Sequence, residues 1–225
     1  MKKVPGAGLE RATARSSAEC SPGLSYPGIP AIQIVRNLSL SFQNNMCINQ
    51  MIENFFQKVL ELKTVQRQGW KDKLQIDYPE SVADHSYSVA TMSMILSDLE
   101  GLDTEKIIKM ALLHDLAESI TGDIIWNDAK NDGKATKEKQ AMKQILKNLP
   151  DKISELYLEI WNDYQNNSSQ ESNLLHDIDK LEMAFQAKFY QENGVTKEKL
   201  LTFFNTANTE IKNKNLRDIL SNIIE

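Results

Sequence analysis

From Ile48 to the end of the chain, apolar residues recur at spacings of three and four, and no sustained apolar–polar alternation interrupts them. Such spacing lines one face of a helix with core residues, so the chain is expected to be all-α. Ile52, Phe55, Phe56, Val59, Leu60 and Leu62 outline a first helix ending near Lys63, and Arg67 to Pro79 reads as a loop. A second helix opens at Glu80–Ser81 and runs to Leu99, with Val82, His85, Val89, Met92 and Leu96 on one face; Gly101 breaks it. Asp103 or Thr104 caps a third, Lys106 through Ile120, which Gly122 ends. After a polar loop, Asn127 to Gly133, helices are predicted over Lys137–Asn148, Pro150 or Asp151 to Tyr164, Glu171–Gln191, Thr196–Thr209 and Ile211–Ile224.

The beginning of the chain differs. Four of six prolines and four of nine glycines fall in the first 30 residues, so residues 1–45 read as a disordered segment. A true start at Met46 or Met51 would instead make them a mis-assigned extension; residues 46–225 form the expected domain.

Residues 1–45 carry a net charge of +3, leaving −8 on the rest of a chain whose total is −5. An acidic body disfavours binding to a nucleic-acid polymer. No apolar run approaches the roughly 20 residues that span a bilayer, so no membrane partner is expected. Cys20 and Cys47 form neither a CxxC pair nor a thiolate zinc site, and a cytoplasmic location is expected.

The chemistry gathers around His114-Asp115. His114 continues the stripe Ile107, Met110, Ala111, and Glu118 follows four residues later on the same side of the predicted helix. A buried aspartate is costly unless paired or metal-bound. An ion-pair cluster tying helices together would need a cation, yet no lysine or arginine lies between Ala111 and Ile125. A divalent metal would supply that charge. Histidine and carboxylate without thiolate suit a borderline-to-hard ion, which lowers the pKa of bound water and polarises a phosphoryl oxygen. Glu118 would serve as general base on that water. His85, on its own apolar stripe, is either a core histidine or a further ligand. Asp177 and Asp179 flank the face marked by Leu174, Ile178, Leu181, Phe185 and Phe189, and the helical wheel does not choose between them. His176 points away from that face, toward solvent.

The order His85, His114-Asp115, distant aspartate resembles the H…HD…D signature of the HD superfamily. The stretches Pro79-Glu80-Ser81-Val82-Ala83-Asp84-His85 and His114-Asp115-Leu116-Ala117-Glu118-Ser119-Ile120-Thr121-Gly122-Asp123 are similar to those of the HD-domain 5′-deoxynucleotidases. Asp179-Lys180-Leu181-Glu182-Met183 fits the last motif, and the resemblance spans roughly residues 50–192. It implies an HD-domain helical bundle and one divalent metal, Mn, Co or Mg, held by His85, His114, Asp115 and Asp179. The motif register, not the helical wheel, selects Asp179. It further implies hydrolysis of nucleoside 5′-monophosphates to nucleoside and phosphate, with Glu118 activating water. Asp123 matches the residue near the sugar 3′-hydroxyl, and Arg67 and Trp70 match a pair at the phosphate. The segment from Trp70 to His85 is about one residue longer than the family pattern and carries Lys71 and Lys73. The family also tends to form homodimers. Two rival readings are an HD-type phosphodiesterase acting on another nucleotide, and a non-catalytic helical binding module stabilised by its metal. The first is disfavoured by the lack of spare ligating histidines, the second by the presence of Glu118 beside the full ligand set.

Overall fold

A computed structural model describes residues 45–124 and 133–224. The extension expected over residues 1–45 lies outside the described residues except for Asn45, as does most of the loop expected before Gly133.

The described chain is helical: α1 (Asn45–Glu61), a 3-10 turn (Leu62–Thr64), α2 (Gln68–Leu74), α3 (Val82–Glu100), α4 (Thr104–Leu113), α5 (Glu118–Thr121), α6 (Lys134–Leu146), α7 (Asp151–Asn166), α8 (Gln170–Glu192), α9 (Lys197–Glu210) and α10 (Lys214–Ile224). No strand forms among the described residues; a single antiparallel bridge joins Gln66 to Ser81. Among them, too, no helix is long and apolar enough to cross a membrane.

Local chemistry sets the boundaries. Ser81 and Asp84 make a reciprocal capping box, the Ser81 side chain accepting from Asp84 N–H and the Asp84 carboxylate accepting from Ser81 N–H. At the other end of α3, Gly101 takes φ +70°, the left-handed conformation that glycine adopts without strain. Asp103 caps α4 by accepting from Lys106 N–H. The segment expected as a loop after Arg67 instead winds into α2 over Gln68–Leu74, burying Trp70 and Leu74, with the Asp123 carboxylate accepting the Gln68 N–H at 2.7 Å. No local pattern encodes that cap, which comes from 55 residues away.

The expected helix from Lys106 to Ile120 is not continuous. α4 stops at Leu113, and Leu116, Glu118, Ser119 and Ile120 bond to carbonyls three residues back instead of four. A three-residue repeat eclipses positions i and i+3, which places Asp115 and Glu118 on one line.

α8 packs against α3, α4, α7, α9 and α10. Val82, Val89, Ile107, Met110, Leu175, Ile178, Leu181, Ala184, Leu200 and Leu216 fill the space between them and are essentially inaccessible. Phe185 and Phe189, expected in that core, are 40% and 56% exposed. Ala184, Ala187 and Tyr190 occupy the buried face of this half of α8. His176, expected to face solvent, is half-buried: it stacks on Tyr164 and donates from Nε2 to the Tyr164 carbonyl at 3.0 Å.

Candidate metal centre

α3, the end of α4 and α8 bring His85, His114 and Asp179 together, with ligand atoms all within 4.8 Å of one another. His85 is fully buried at the contact of α3 with α8; His114 is the residue at which α4 ends. Each imidazole commits one nitrogen to the protein. His114 Nδ1 donates to the Ala111 carbonyl at 2.6 Å, and His85 Nδ1 meets Glu182 Oε2 at 2.7 Å. In the neutral rings these bonds would place the proton on Nδ1, so that Nε2 is the lone-pair donor in both.

The two Nε2 atoms are buried without a hydrogen-bond partner. Nevertheless carboxylate oxygens crowd them: Asp179 Oδ1 lies 3.0 Å from His85 Nε2, and Asp115 Oδ2 lies 3.7 Å from His85 Nε2 and 3.2 Å from His114 Nε2. Nitrogens and carboxylates that converge without aligned hydrogen bonds fit a shared divalent cation.

Electrostatics agree. Burial and Arg67 push the His85 pKa down, but Asp179 and Glu182 reverse this and carry it up to about 10. The neighbouring acids thus favour a proton on the His85 ring. Burial raises Asp115, yet His114, Arg67 and His85 hold it well below the usual carboxylate range. Asp179 is likewise opposed by burial and held low by Lys180, His85 and Arg67.

No cation lies near His114-Asp115 in sequence, but cations lie near it in space. Arg67 Nη1 reaches Asp115 Oδ2 at 3.2 Å from 48 residues away. Burial opposes its charge, while Asp115, Asp179, Asp123 and Glu80 all favour it. Lys180 Nζ lies 3.0 Å from Asp179 Oδ2, so two cations, Arg67 and Lys180, stand among the acids of the cluster.

Glu118 is buried with Oε2 unpartnered. Burial, then Asp115 and Asp123, push its pKa up to about 10. Asp177 is separated from Asp179 by its contacts. Its carboxylate accepts from the backbone N–H of Lys212 and of Asn213, pinning the link between α9 and α10.

Of the residues expected at the substrate, Arg67 and Asp123 border the cluster, the latter with Oδ2 already committed to α2. Trp70, expected beside Arg67, lies in the core. Its ring is 2% exposed and stacked on Phe203 at 3.9 Å, and its N–H donates to Glu80 Oε1 at 2.7 Å. It supports Glu80 through that hydrogen bond.

Four participants had gone unnoticed in the sequence. Glu80 and Glu182 stand behind Arg67 and His85, while Trp161 donates to the His114 carbonyl at 3.2 Å and Tyr164 packs edge-on against the His114 ring. Only Glu182 carries a usable sequence signal, the one-turn spacing from Asp179. Trp161 and Tyr164 read as ordinary core aromatics.

The chain belongs to the HD domain family, whose model matches residues 59–219. Among curated relatives, the 5′-deoxynucleotidase HDDC2 of Xenopus laevis is 35% identical over 173 residues, covering 76% of this chain and 85% of the relative. The human protein of the same name is 32% identical over 170 residues, covering 75% and 82%. Among solved structures, a Pyrococcus horikoshii protein superposes with a TM-score of 0.65 at 37% identity, covering 77% of this chain and 98% of that one.

Proposed function

We propose that this chain is a phosphoric monoester hydrolase that cleaves nucleoside 5′-monophosphates, the deoxy forms included, to nucleoside and phosphate. The observation that carries the metal-dependent part is the pair of imidazoles whose Nδ1 atoms are spent and whose bare Nε2 atoms converge with Asp115 and Asp179. The relatives named 5′-deoxynucleotidase support the substrate class.

His85, His114, Asp115 and Asp179 would hold the divalent ion. When bound, it supplies positive charge that acidifies water, polarises a phosphoryl oxygen and draws Glu118 into its ionised range. Glu118, three residues from Asp115 and free at Oε2, takes the proton of the attacking water. Arg67 spends one N–H on Asp115 and offers the rest of its fork to the phosphate oxygens. Asp123 commits Oδ2 to Gln68 and would meet the sugar 3′-hydroxyl through Oδ1.

The test is phosphate release by chelator-stripped protein, reconstituted with Mn, Co or Mg, from ribo- and deoxyribonucleoside 5′-monophosphates. Release that depends on added metal is expected. Hydrolysis confined to cyclic nucleotides would favour the phosphodiesterase reading, and no turnover with any metal would favour a binding module.

A further inference from the structure

Glu182 is buried to 2% exposure in the body of the protein, and its Oε2 lies 2.7 Å from His85 Nδ1. A carboxylate at such depth is expensive to bury, and packing alone would be served by an apolar side chain of similar size. Its position follows from the helix. Asp179 and Glu182 are three residues apart on α8, so both face the same strip of α3. The His85 ring fits between them, Nε2 toward Asp179 Oδ1 at 3.0 Å and Nδ1 toward Glu182 Oε2. One turn of α8 therefore addresses both nitrogens of one imidazole.

The second histidine is held differently. His114 Nδ1 donates to a neutral acceptor, the Ala111 carbonyl. The two rings are thus unequal: one is backed by a backbone carbonyl, the other by a carboxyl side chain. Glu80 is the nearest competitor for His85, since its carboxylate lies within the same 4.8 Å group as His85 and Glu182. Trp70 Nε1 holds Glu80 Oε1 at 2.7 Å, and Arg67 Nε stands 3.9 Å from the same oxygen. This arrangement leaves His85 Nδ1 to Glu182.

We propose that Glu182 is a positioning residue which fixes the tautomer and ring orientation of His85 and thereby sets the affinity of the metal centre. It rests on the reading of His85 and His114 as ligands. Glu182 acts through His85 and touches neither the ion nor the substrate. A carboxylate behind a ligating histidine restricts the ring to one tautomer and makes its free nitrogen more basic. Removing such a partner weakens metal binding by roughly 10–100-fold.

The chain holds only three histidines, so 15N-histidine labelling of the full-length protein gives three ring systems to follow. Zn2+ serves as a diamagnetic probe, with its affinity measured by chelator competition. In the parent protein, Zn2+ should shift Nε2 of His85 and of His114 while His85 keeps Nδ1–H. Glu182→Ala should weaken Zn2+ binding by roughly 10–100-fold and perturb the His85 nitrogens, leaving the His114 ring little changed. Glu182→Gln, neutral but able to accept the same N–H, should fall between and also covers the case in which the alanine variant does not fold. Affinity within about twofold of the parent in both variants, or in Glu182→Gln alone if the other fails to fold, with unmoved His85 signals, overturns the proposal. If the parent protein shifts neither Nε2 on adding Zn2+, the metal-centre reading itself fails, and this inference with it.

Discussion

Alanine at Asp177 and alanine at Asp179 should fail in different ways, although the residues lie two apart on one helix. Asp177 accepts the N–H of Lys212 at 3.1 Å from each oxygen and that of Asn213 at 2.7 Å, in a buried setting. A hydrogen bond to a charged group contributes about 1.5–3 kcal/mol, and truncation also strands buried N–H donors. Backbone relaxation and water recover part of this, which leaves a net loss of about 2–4 kcal/mol. In a domain of this size each kcal/mol moves Tm by about 2–4 °C, so Asp177→Ala should melt about 4–16 °C lower. It should do so equally in chelator and in Mn2+, because the rise in Tm on adding metal depends on ligands that are intact. Asp179→Ala should lose that rise, which at a thousandfold excess over Kd corresponds to about 4 kcal/mol. Thermal unfolding of the parent and both variants, with chelator and with Mn2+, separates the two effects. A variant at Asp177 that loses the metal-dependent rise while Asp179→Ala keeps it would refute the assignment.

Glu118→Gln should keep metal affinity and lose roughly 10²–10⁴-fold in turnover, as removal of a general base does; metal titration beside steady-state kinetics checks this. The metal-free protein should lose stability as pH rises. His85 and Glu118 both have folded values near 10, above ordinary values of 6.5 and 4.5. Their contributions are therefore complete below the unfolded values and are lost as pH climbs from about 4.5 to about 10. Asp115 and Asp179 are shifted down, so their contribution is fully present across that window and is lost only at lower pH. Urea unfolding in chelator at pH 5, 7 and 9 should show falling midpoints, and Glu118→Gln should flatten the fall; a midpoint that rises with pH would contradict it. Trp70→Phe keeps the stack on Phe203 but strands the Glu80 carboxyl, and should cost about 1–3 kcal/mol in denaturant unfolding.

Much of the fold was legible because it is local. The Ser81–Asp84 capping box, Gly101 and the Asp103 cap each announce a helix end in neighbouring residues, and the apolar stripes of α3 and α4 fall where spacing puts them. What was illegible came from distance. α2 takes its first-turn cap from Asp123, 55 residues away, and Arg67 reaches Asp115 across 48. Spacing could not reveal that the chain tightens after His114, since periods of 3.0 and 3.6 diverge little over one turn. The geometry also separates Asp177 from Asp179, because only Asp177 has backbone donors from the α9–α10 link around it. Trp70, Phe185 and Phe189 show the limit of residue type as a guide. The tryptophan expected at a ligand is core, and two phenylalanines expected in the core are exposed.

The central claim is that His85, His114, Asp115 and Asp179 together hold one divalent ion. Anomalous diffraction at the zinc edge from crystals of Zn2+-loaded protein tests it most directly. The expected result is one peak about 2.0–2.2 Å from Nε2 of both histidines and from oxygens of both aspartates. No peak there, or a peak among Glu80, His85 and Glu182 instead, would contradict it.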